Sequence, residues 1–314
     1  MYDPLSAHEP KQLIVVLGMH RSGTSLVTKG LETLGVDLGT QLLPGQEDNP
    51  QGYFEDTDIG AFNETVLYLL KLSCDSIKNY PEHIPNRKIL IEYGVDLIQK
   101  KMEKKQLFGF KDPRTARNMS LWKDIFAACP ELNVQYVCIV RNPMSVTQSL
   151  LKRNGIDPTR SYYLWLQYYV SALSEVDPIF ISYEELMRNP EDQVKRLGEK
   201  LGLGLGENGE DRVRSFANQY VTPSFQHHLY SLEDLNQERD LPNQVAMLYQ
   251  ELLKVCLDEA EDQRALSLAH QIGQDLMNMG SLFKMIDQKC QIGETRKYRF
   301  FDLLEDLICC YNEM

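Results

Sequence analysis

Apolar runs and amphipathic segments alternate along the first 200 residues of the chain. Four runs have the length of buried strands, at residues 13–17, 107–114, 134–140 and 179–186. Between them, apolar residues recur at helical spacing and predict helices at 25–34, 59–72, 95–102, 121–126, 145–153, 161–174 and 192–201. Strands that alternate with helices predict an α/β fold of three layers around a central parallel sheet.

Composition divides the chain into three parts. Residues 1–10 predict a flexible N-terminal tail, and residues 11–235 carry the predicted α/β domain. Residues 236–314 are largely acidic, with apolar positions at helical spacing, and predict a C-terminal helical extension. We expect this extension to pack on the core or to join two copies of the chain into a homo-oligomer.

Charge and cysteine content narrow the functional classes. A net charge of −12 argues against general binding to nucleic acid or an acidic membrane, so an anionic ligand needs a local positive cluster. No apolar run approaches the ~18 residues that a membrane span needs, and no signal peptide is visible. The seven cysteines form no C-x-x-C pair. We therefore expect reduced thiols, no metal site and a cytoplasmic location.

The segment after the first apolar run is a candidate phosphate-binding loop. Gly18 and Gly23 have the spacing of the P-loop pattern G-x-x-x-x-G-K-[ST], but Thr24 stands where that pattern has Lys. A nucleoside triphosphatase needs that ammonium group at the β/γ-phosphates. Without it, the loop can still bind an anion through its backbone N–H groups, through the following helix N-terminus, and through Arg21, Ser22 and Ser25.

Three charged turns follow predicted strand ends and should meet at one edge of the sheet. They contain Arg21, the KDPR segment at 111–114, and Arg141. Ser149 follows Arg141 by eight residues, about two helical turns, so a guanidinium and a hydroxyl can bind one phosphate together. The KDPR segment can contact a ligand or form a salt-bridged strand end.

Two motifs resemble those of the sulfotransferases that use 3′-phosphoadenosine 5′-phosphosulfate (PAPS). HRSGTS (residues 20–25) resembles the 5′-phosphosulfate loop, and RNPMSVTQS (residues 141–149) resembles the 3′-phosphate motif. DNPQGYFE and GFKDPR are similar to segments of bacterial members. The resemblance covers roughly residues 11–230 and implies an α/β fold, PAPS as donor and no metal requirement.

The resemblance also implies roles for individual residues. Those that would hold the 5′-phosphosulfate are Arg21, Ser22, Gly23, Thr24 and Ser25. Arg141 and Ser149 would hold the 3′-phosphate, and Arg21 would also stabilise charge on the leaving phosphate. The R-K-G-like segment of many members is missing, and the histidines of TPSFQHHLYS (residues 222–231) match it only loosely.

Sulfuryl transfer needs a general base for the acceptor, and several residues are candidates. We favour Glu55, because it lies in a long loop with two aromatic residues, at 39–56, that is close in sequence to the phosphate loop. Glu47 and Asp112 are the rivals, and His20 is interpreted as structural. If none of the carboxylates serves, His227 and His228 come next.

The acceptor and two other functions stay open at this point. We expect a small-molecule or carbohydrate acceptor with a hydroxyl or amine. The Tyr-rich helix, with Tyr162, Tyr163, Trp165, Tyr168 and Tyr169, can line such a site, but we favour a core position for it. A kinase-type phosphotransferase and a non-catalytic nucleotide-binding or interaction module are the alternatives.

Overall fold

A computed structural model describes residues 10–46, 49–221 and 230–289. Within these residues, four strands form one parallel sheet in the order β2-β1-β3-β4. The strands are β1 (Lys11–Leu17), β2 (Leu107–Lys111), β3 (Leu132–Val140) and β4 (Ile179–Ser182). All four carboxyl ends therefore lie at the same edge, as expected from the sequence.

Helices cover both faces of the sheet. In the first half of the chain they are α1 (Thr24–Thr33), α2 (Thr57–Leu69), α3 (Arg87–Lys101), α4 (Pro113–Arg117), α5 (Met119–Ala127), α6 (Pro143–Asn154) and α7 (Pro158–Leu173). In the second half they are α8 (Tyr183–Arg188), α9 (Pro190–Leu201), α10 (Gly209–Gln219), α11 (Leu232–Gln237), α12 (Asn243–Cys256), α13 (Asp262–Asn278) and α14 (Gly280–Lys289).

The pleat of β1 divides the core into two layers of side chains. Ile14 and Val16 pack on one face with α1, α9 and α10, and Leu13, Val15 and Leu17 pack on the other with α2 to α7. All five side chains are fully buried. Burial on both faces explains why this strand is an uninterrupted apolar run, and the three-layer α/β prediction is confirmed.

The structure moves several of the predicted boundaries. The strand predicted over 179–186 ends at Ser182, because the Ser182 side chain caps α8, which begins at Tyr183. The strand predicted over 107–114 ends at Lys111, because Asp112 caps α4 by accepting the N–H of Arg114 and Pro113 opens that helix. The helix predicted over 95–102 begins earlier, at Arg87. The acidic turn region at 202–211 also contains the start of α10, at Gly209.

The Tyr-rich helix is part of the core, as favoured from the sequence. Trp165, Tyr168 and Tyr169 of α7 are at most 1 % exposed. Buried residues of α12 and α13, such as Leu252 and Ile272, belong to the same core layer. The helical extension therefore packs on α7 over the residues that the structure describes, while the domain boundary at 235 stays a prediction.

The described helices include none that is both long and apolar enough to cross a membrane. The cysteines within the described ranges, Cys74, Cys129, Cys138 and Cys256, are free thiols. The remaining three lie outside those ranges.

Candidate active site

The phosphate-loop candidate runs from the end of β1 into the first turn of α1. Gly18 and Gly23 both have positive φ, at 146° and 93°. A Cβ atom on Gly23 would lie 2.3 Å from Cδ2 of Tyr183, so this position requires glycine on two grounds. The loop is thus held against the residue that follows β4, and its helix N-terminus faces the carboxyl edge of the sheet.

Arg21 joins the loop to the turn after β3. Its Nε donates to Oγ of Ser149 at 2.9 Å, and its carbonyl oxygen accepts a hydrogen bond from Arg141 at 2.7 Å. Arg21 has a φ of 68°, a conformation that is uncommon for a residue with a side chain. The structure therefore brings together the two motifs that the sequence predicts to share one ligand.

Arg141 is fixed by contacts on several sides. Its guanidinium group lies 4.1 Å from the ring centroid of Tyr183, and its carbonyl oxygen accepts the Nε1–H of Trp165 at 3.3 Å. The Nε atom is buried and has no hydrogen-bond partner. A guanidinium N–H without a partner fits an anionic ligand better than an apolar one.

The hydroxyl groups of the loop differ in their surroundings. Ser22 is fully buried and donates to the carbonyl of Met19 at 2.6 Å, which stabilises the turn, and Thr24 is buried at the start of α1. Ser25 donates to the carbonyl of Tyr53 at 3.1 Å and accepts from Asn49 at 3.3 Å. Ser25 therefore links the phosphate loop to the segment that carries Glu55.

Glu55 lies in a cluster of charged side chains at the end of β2. Its Oε1 accepts from Nζ of Lys111 at 2.7 Å, and both side chains are nearly buried, at 11 % and 2 % exposure. Oε2 lies 3.9 Å from a guanidinium nitrogen of Arg114. A buried ammonium group needs such a partner, so the pair holds the side chain of Glu55 in a fixed position.

Asp112 has a structural role in the same cluster. It is fully buried and accepts from Nε, NH2 and the backbone N–H of Arg114. Burial alone would raise the pKa of this carboxyl group, but the charges of Arg114 and Lys111 outweigh it and hold the pKa below its usual value. Arg114 also pairs with Glu64 at 2.7 Å. Of the two alternatives given for the KDPR segment, the structure therefore shows the salt-bridged strand end.

His20 is unsuited to act as the base. Burial, together with the positive charges of Arg153 and Arg114, lowers its pKa to about 3, and its Nε2 is buried. A general base works best with a pKa near the operating pH. The other candidates, Glu47, His227 and His228, lie outside the described residues.

Tyr183 and Glu184 belong to the site, although no sequence motif indicates them. The ring of Tyr183 packs on Gly23 and Arg141, and Glu184 accepts the N–H of Asn142 at 2.9 Å. Burial raises the pKa of Glu184. Both residues directly follow β4, so their position at a carboxyl strand end is the signal that could have indicated them.

A family model supports the resemblance. The model described as "Sulfotransferase family" matches residues 13–207, which is more than half of the chain. The chain belongs to the sulfotransferase family. No curated protein matched it.

Two solved structures are similar to the chain. The sulfotransferase domain from the curacin biosynthetic pathway has 14 % identity and a TM-score of 0.39, over 79 % of this chain and 97 % of that one. The sulfotransferase domain from the Synechococcus PCC 7002 olefin synthase has 14 % identity and a TM-score of 0.38, over 87 % and 98 %. Family membership rests on the family model.

Neutralising Asp112 should destabilise the fold. Asp112→Asn leaves Arg114 without its main partner, and breaking a buried pair costs about 3–5 kcal/mol of unfolding free energy. Because the folded-state pKa of Asp112 is depressed, its contribution is present above pH ~4 and is lost as pH falls through the folded-state value. The loss of unfolding free energy in Asp112→Asn relative to the wild-type protein, measured by urea unfolding, should be smaller at pH 3 than at pH 7.

The matched control for this prediction is Asp258→Asn. Its carboxylate also pairs with two cations, Arg196 and Lys200, but its side chain is 58 % exposed. An exposed pair contributes about 0–1 kcal/mol. Equal losses in the two variants would contradict the structural role given to Asp112.

Proposed function

We propose that this sulfotransferase transfers a sulfuryl group from PAPS to a hydroxyl or amine of a small-molecule or carbohydrate acceptor. The observation that carries the proposal is the contact between Arg21 and Ser149, at 2.9 Å. It joins a phosphate loop that lacks the P-loop lysine to the Arg-x7-Ser motif, which begins in the turn after β3 and ends at Ser149 in α6. Such a pair of anion-binding elements suits a donor with phosphate groups at both ends of its ribose.

The residues present fit this donor by their chemistry. In this proposal, Arg141 and Ser149 hold the 3′-phosphate, and the backbone of the loop with Ser22, Thr24 and Ser25 holds the 5′-phosphosulfate. Gly23 allows the loop backbone to pack directly against the ring of Tyr183. When bound, the donor supplies the sulfuryl group.

Glu55 is proposed as the general base. Lys111 fixes one carboxylate oxygen, and the other lies beyond hydrogen-bond distance from Arg114, at 3.9 Å. The carboxylate would take the proton of the acceptor as the acceptor attacks sulfur. Arg21 and the N-terminus of α1 would offset the negative charge that remains on the leaving phosphate.

The choice of nucleotide tests the proposed donor. The product 3′,5′-adenosine bisphosphate should stabilise the protein without metal, because the loop and the Arg141 turn can each bind one phosphate. A ligand at ~100 Kd adds ~2.7 kcal/mol, which is several degrees in Tm. ATP with Mg²⁺ should shift Tm much less, since Thr24 replaces the P-loop lysine. A larger shift with ATP and Mg²⁺ would favour a kinase.

Removing Arg141 should discriminate between nucleotides. Arg141→Ala should weaken 3′,5′-adenosine bisphosphate more than 5′-AMP, because only the former carries a 3′-phosphate. The loss of a charge-assisted bond costs roughly 1.5–3 kcal/mol, or about 10- to 150-fold in Kd. Titration calorimetry measures both ligands.

The hydrogen bond from Arg141 to Arg21 complicates this measurement, because losing it disturbs the loop for both nucleotides. The ratio of the two losses in affinity therefore measures the contribution of the contact with the 3′-phosphate. Arg141→Lys is the control that keeps the charge without the planar guanidinium group. Equal losses for both nucleotides would place Arg141 away from the 3′-phosphate.

Glu55→Gln should lower kcat by about 10²- to 10⁴-fold, because an amide cannot accept the proton. Binding of 3′,5′-adenosine bisphosphate should stay almost unchanged. The rate of release of this product from PAPS, with a panel of phenol, sugar and amine acceptors, measures the effect.

Glu64→Gln is the matched control for Glu55. Its carboxylate belongs to the same charged cluster and pairs with Arg114 at 2.7 Å, but its side chain is 49 % exposed. If Glu55→Gln keeps near wild-type turnover while Glu47→Gln loses it, the base is Glu47. If Glu55→Gln and Glu47→Gln both keep turnover, the base lies elsewhere, and His227 and His228 are tested next. Nucleotide binding without turnover in the wild-type protein would favour the non-catalytic alternative.

A further inference from the structure

The connection between α2 and α3 contains an irregular segment, residues 73–79, that is held almost entirely by side chains. Five consecutive carbonyl groups each accept a hydrogen bond from a side chain. The donors are Tyr168 to Cys74 (2.8 Å), Arg160 to Asp75 (2.8 Å), Arg117 to Ser76 (3.0 Å), Gln167 to Ile77 (3.0 Å) and Arg117 to Lys78 (2.8 Å). Such complete pairing leaves the 73–79 segment few other conformations.

Asp287 of α14 holds the same segment from the other side. Its two carboxylate oxygens accept the N–H groups of Ile77 and Lys78, each at 3.3 Å. The carboxylate also pairs with Arg160 at 3.0 Å and is 4 % exposed. Helix α14 thus supplies the hydrogen-bond acceptor for two adjacent backbone amides and the negative charge that pairs with Arg160.

A second contact ties the segment to the C-terminal helices. Asn79 donates to the carbonyl of Leu276, in α13, at 2.9 Å and accepts from Gln167 at 2.8 Å. Fixation of the 73–79 segment therefore depends on residues about 200 positions later in the chain.

The 73–79 segment lies on the β2 side of the site. The donor-side residues Arg21 and Arg141 follow β1 and β3, whereas Glu55 is paired with Lys111 at the end of β2, on the other side of β1. The cluster extends from Glu55 through Arg114 to Glu64. Arg117 lies in α4 three residues after Arg114 and donates to the carbonyls of Ser76 and Lys78, so the segment lies next to this cluster.

Tyr168 connects the segment to the phosphate loop. Its hydroxyl group holds the carbonyl of Cys74, and its ring packs edge-on against His20 at a centroid distance of 5.6 Å. His20 directly precedes Arg21 in the loop. The segment therefore lies next to the phosphate loop as well as next to the charged cluster that contains Glu55.

We propose that the 73–79 segment is the wall against which the acceptor is positioned, and that Asp287 is a positioning residue that keeps this wall in place. The acceptor step itself rests on the function proposed above. A fixed wall beside the general base restricts the directions from which a hydroxyl can approach sulfur. The C-terminal helices then contribute to acceptor use although they carry none of the donor-binding residues.

Asp287→Asn tests the proposal, with Asp240→Asn as the control at an exposed position before α12. Hydrogen exchange at the amides of Ile77 and Lys78 should become at least about tenfold faster in Asp287→Asn and stay unchanged in the control. The Kd for 3′,5′-adenosine bisphosphate should stay within about twofold, because the donor-binding residues keep their own contacts.

The acceptor step is measured with 4-nitrophenol, and with water through PAPS hydrolysis if the wild-type protein does not use the phenol. With 4-nitrophenol at subsaturating concentration, the rate should fall at least about fivefold, through KM more than through kcat. With water as the acceptor, the rate of PAPS hydrolysis itself should fall at least about fivefold. If Asp287→Asn does not fold, Asn79→Ala removes the contact to Leu276 and should change exchange and rate in the same directions.

Each contrary outcome overturns a defined part of the proposal. Unchanged exchange would mean that Asp287 does not hold the segment. Faster exchange with an unchanged rate would mean that the segment is not the acceptor wall. A parallel loss of nucleotide affinity would show a general structural role. If the wild-type protein fails to bind 3′,5′-adenosine bisphosphate, the proposed function fails, and the exchange result still decides the role of Asp287.

Discussion

Two hydrogen bonds, from the loop after β1 to the turn after β3 and to helix α6, set the geometry of the site. Arg21 donates to Ser149, and Arg141 donates to the carbonyl of Arg21, so each motif holds the other. Arg141 is bonded to a carbonyl oxygen and stacked on the ring of Tyr183, both uncharged partners. Such partners fix a guanidinium group without neutralising it, so a chain with a net charge of −12 keeps a positive charge where an anion can bind.

The β2 side of the site is organised differently, because its cations are paired. Lys111 binds Glu55, and Arg114 binds Asp112 and Glu64. Burial at this edge requires the pairing, since an unpaired ammonium or carboxylate would cost several kcal/mol. The two sides thus differ in what they offer a ligand: positive charge between β1 and β3, and a positioned carboxylate beside β2.

Sequence reasoning predicted the elements whose signals are local. The apolar run of β1 and the Gly18–Gly23 spacing indicated a strand and a phosphate loop, because burial on both faces and positive φ each restrict residue type. The end of β2 was placed too late, although the Asp112–Pro113 pair is an N-terminal helix signal.

Contacts between distant positions could not be predicted in this way. Lys111 and Glu55 are 56 residues apart, and Asp287 lies 210 residues after Ile77. Their partners are chosen by how the helices pack, which no local pattern encodes. The role of Tyr183 was missed for a similar reason, because a ring that packs on a glycine has no motif of its own.

The two tryptophans of the chain occupy different positions, so the native protein carries one fluorescent ring beside the site and one within the core. The indole N–H of Trp165 binds the carbonyl of Arg141, whereas that of Trp122 binds Asn63 within the core. Both rings are fully shielded from water. Their combined emission therefore contains one chromophore bonded to the turn that carries Arg141 and one bonded to Asn63 of α2, so a change at that turn reaches the intrinsic fluorescence through Trp165.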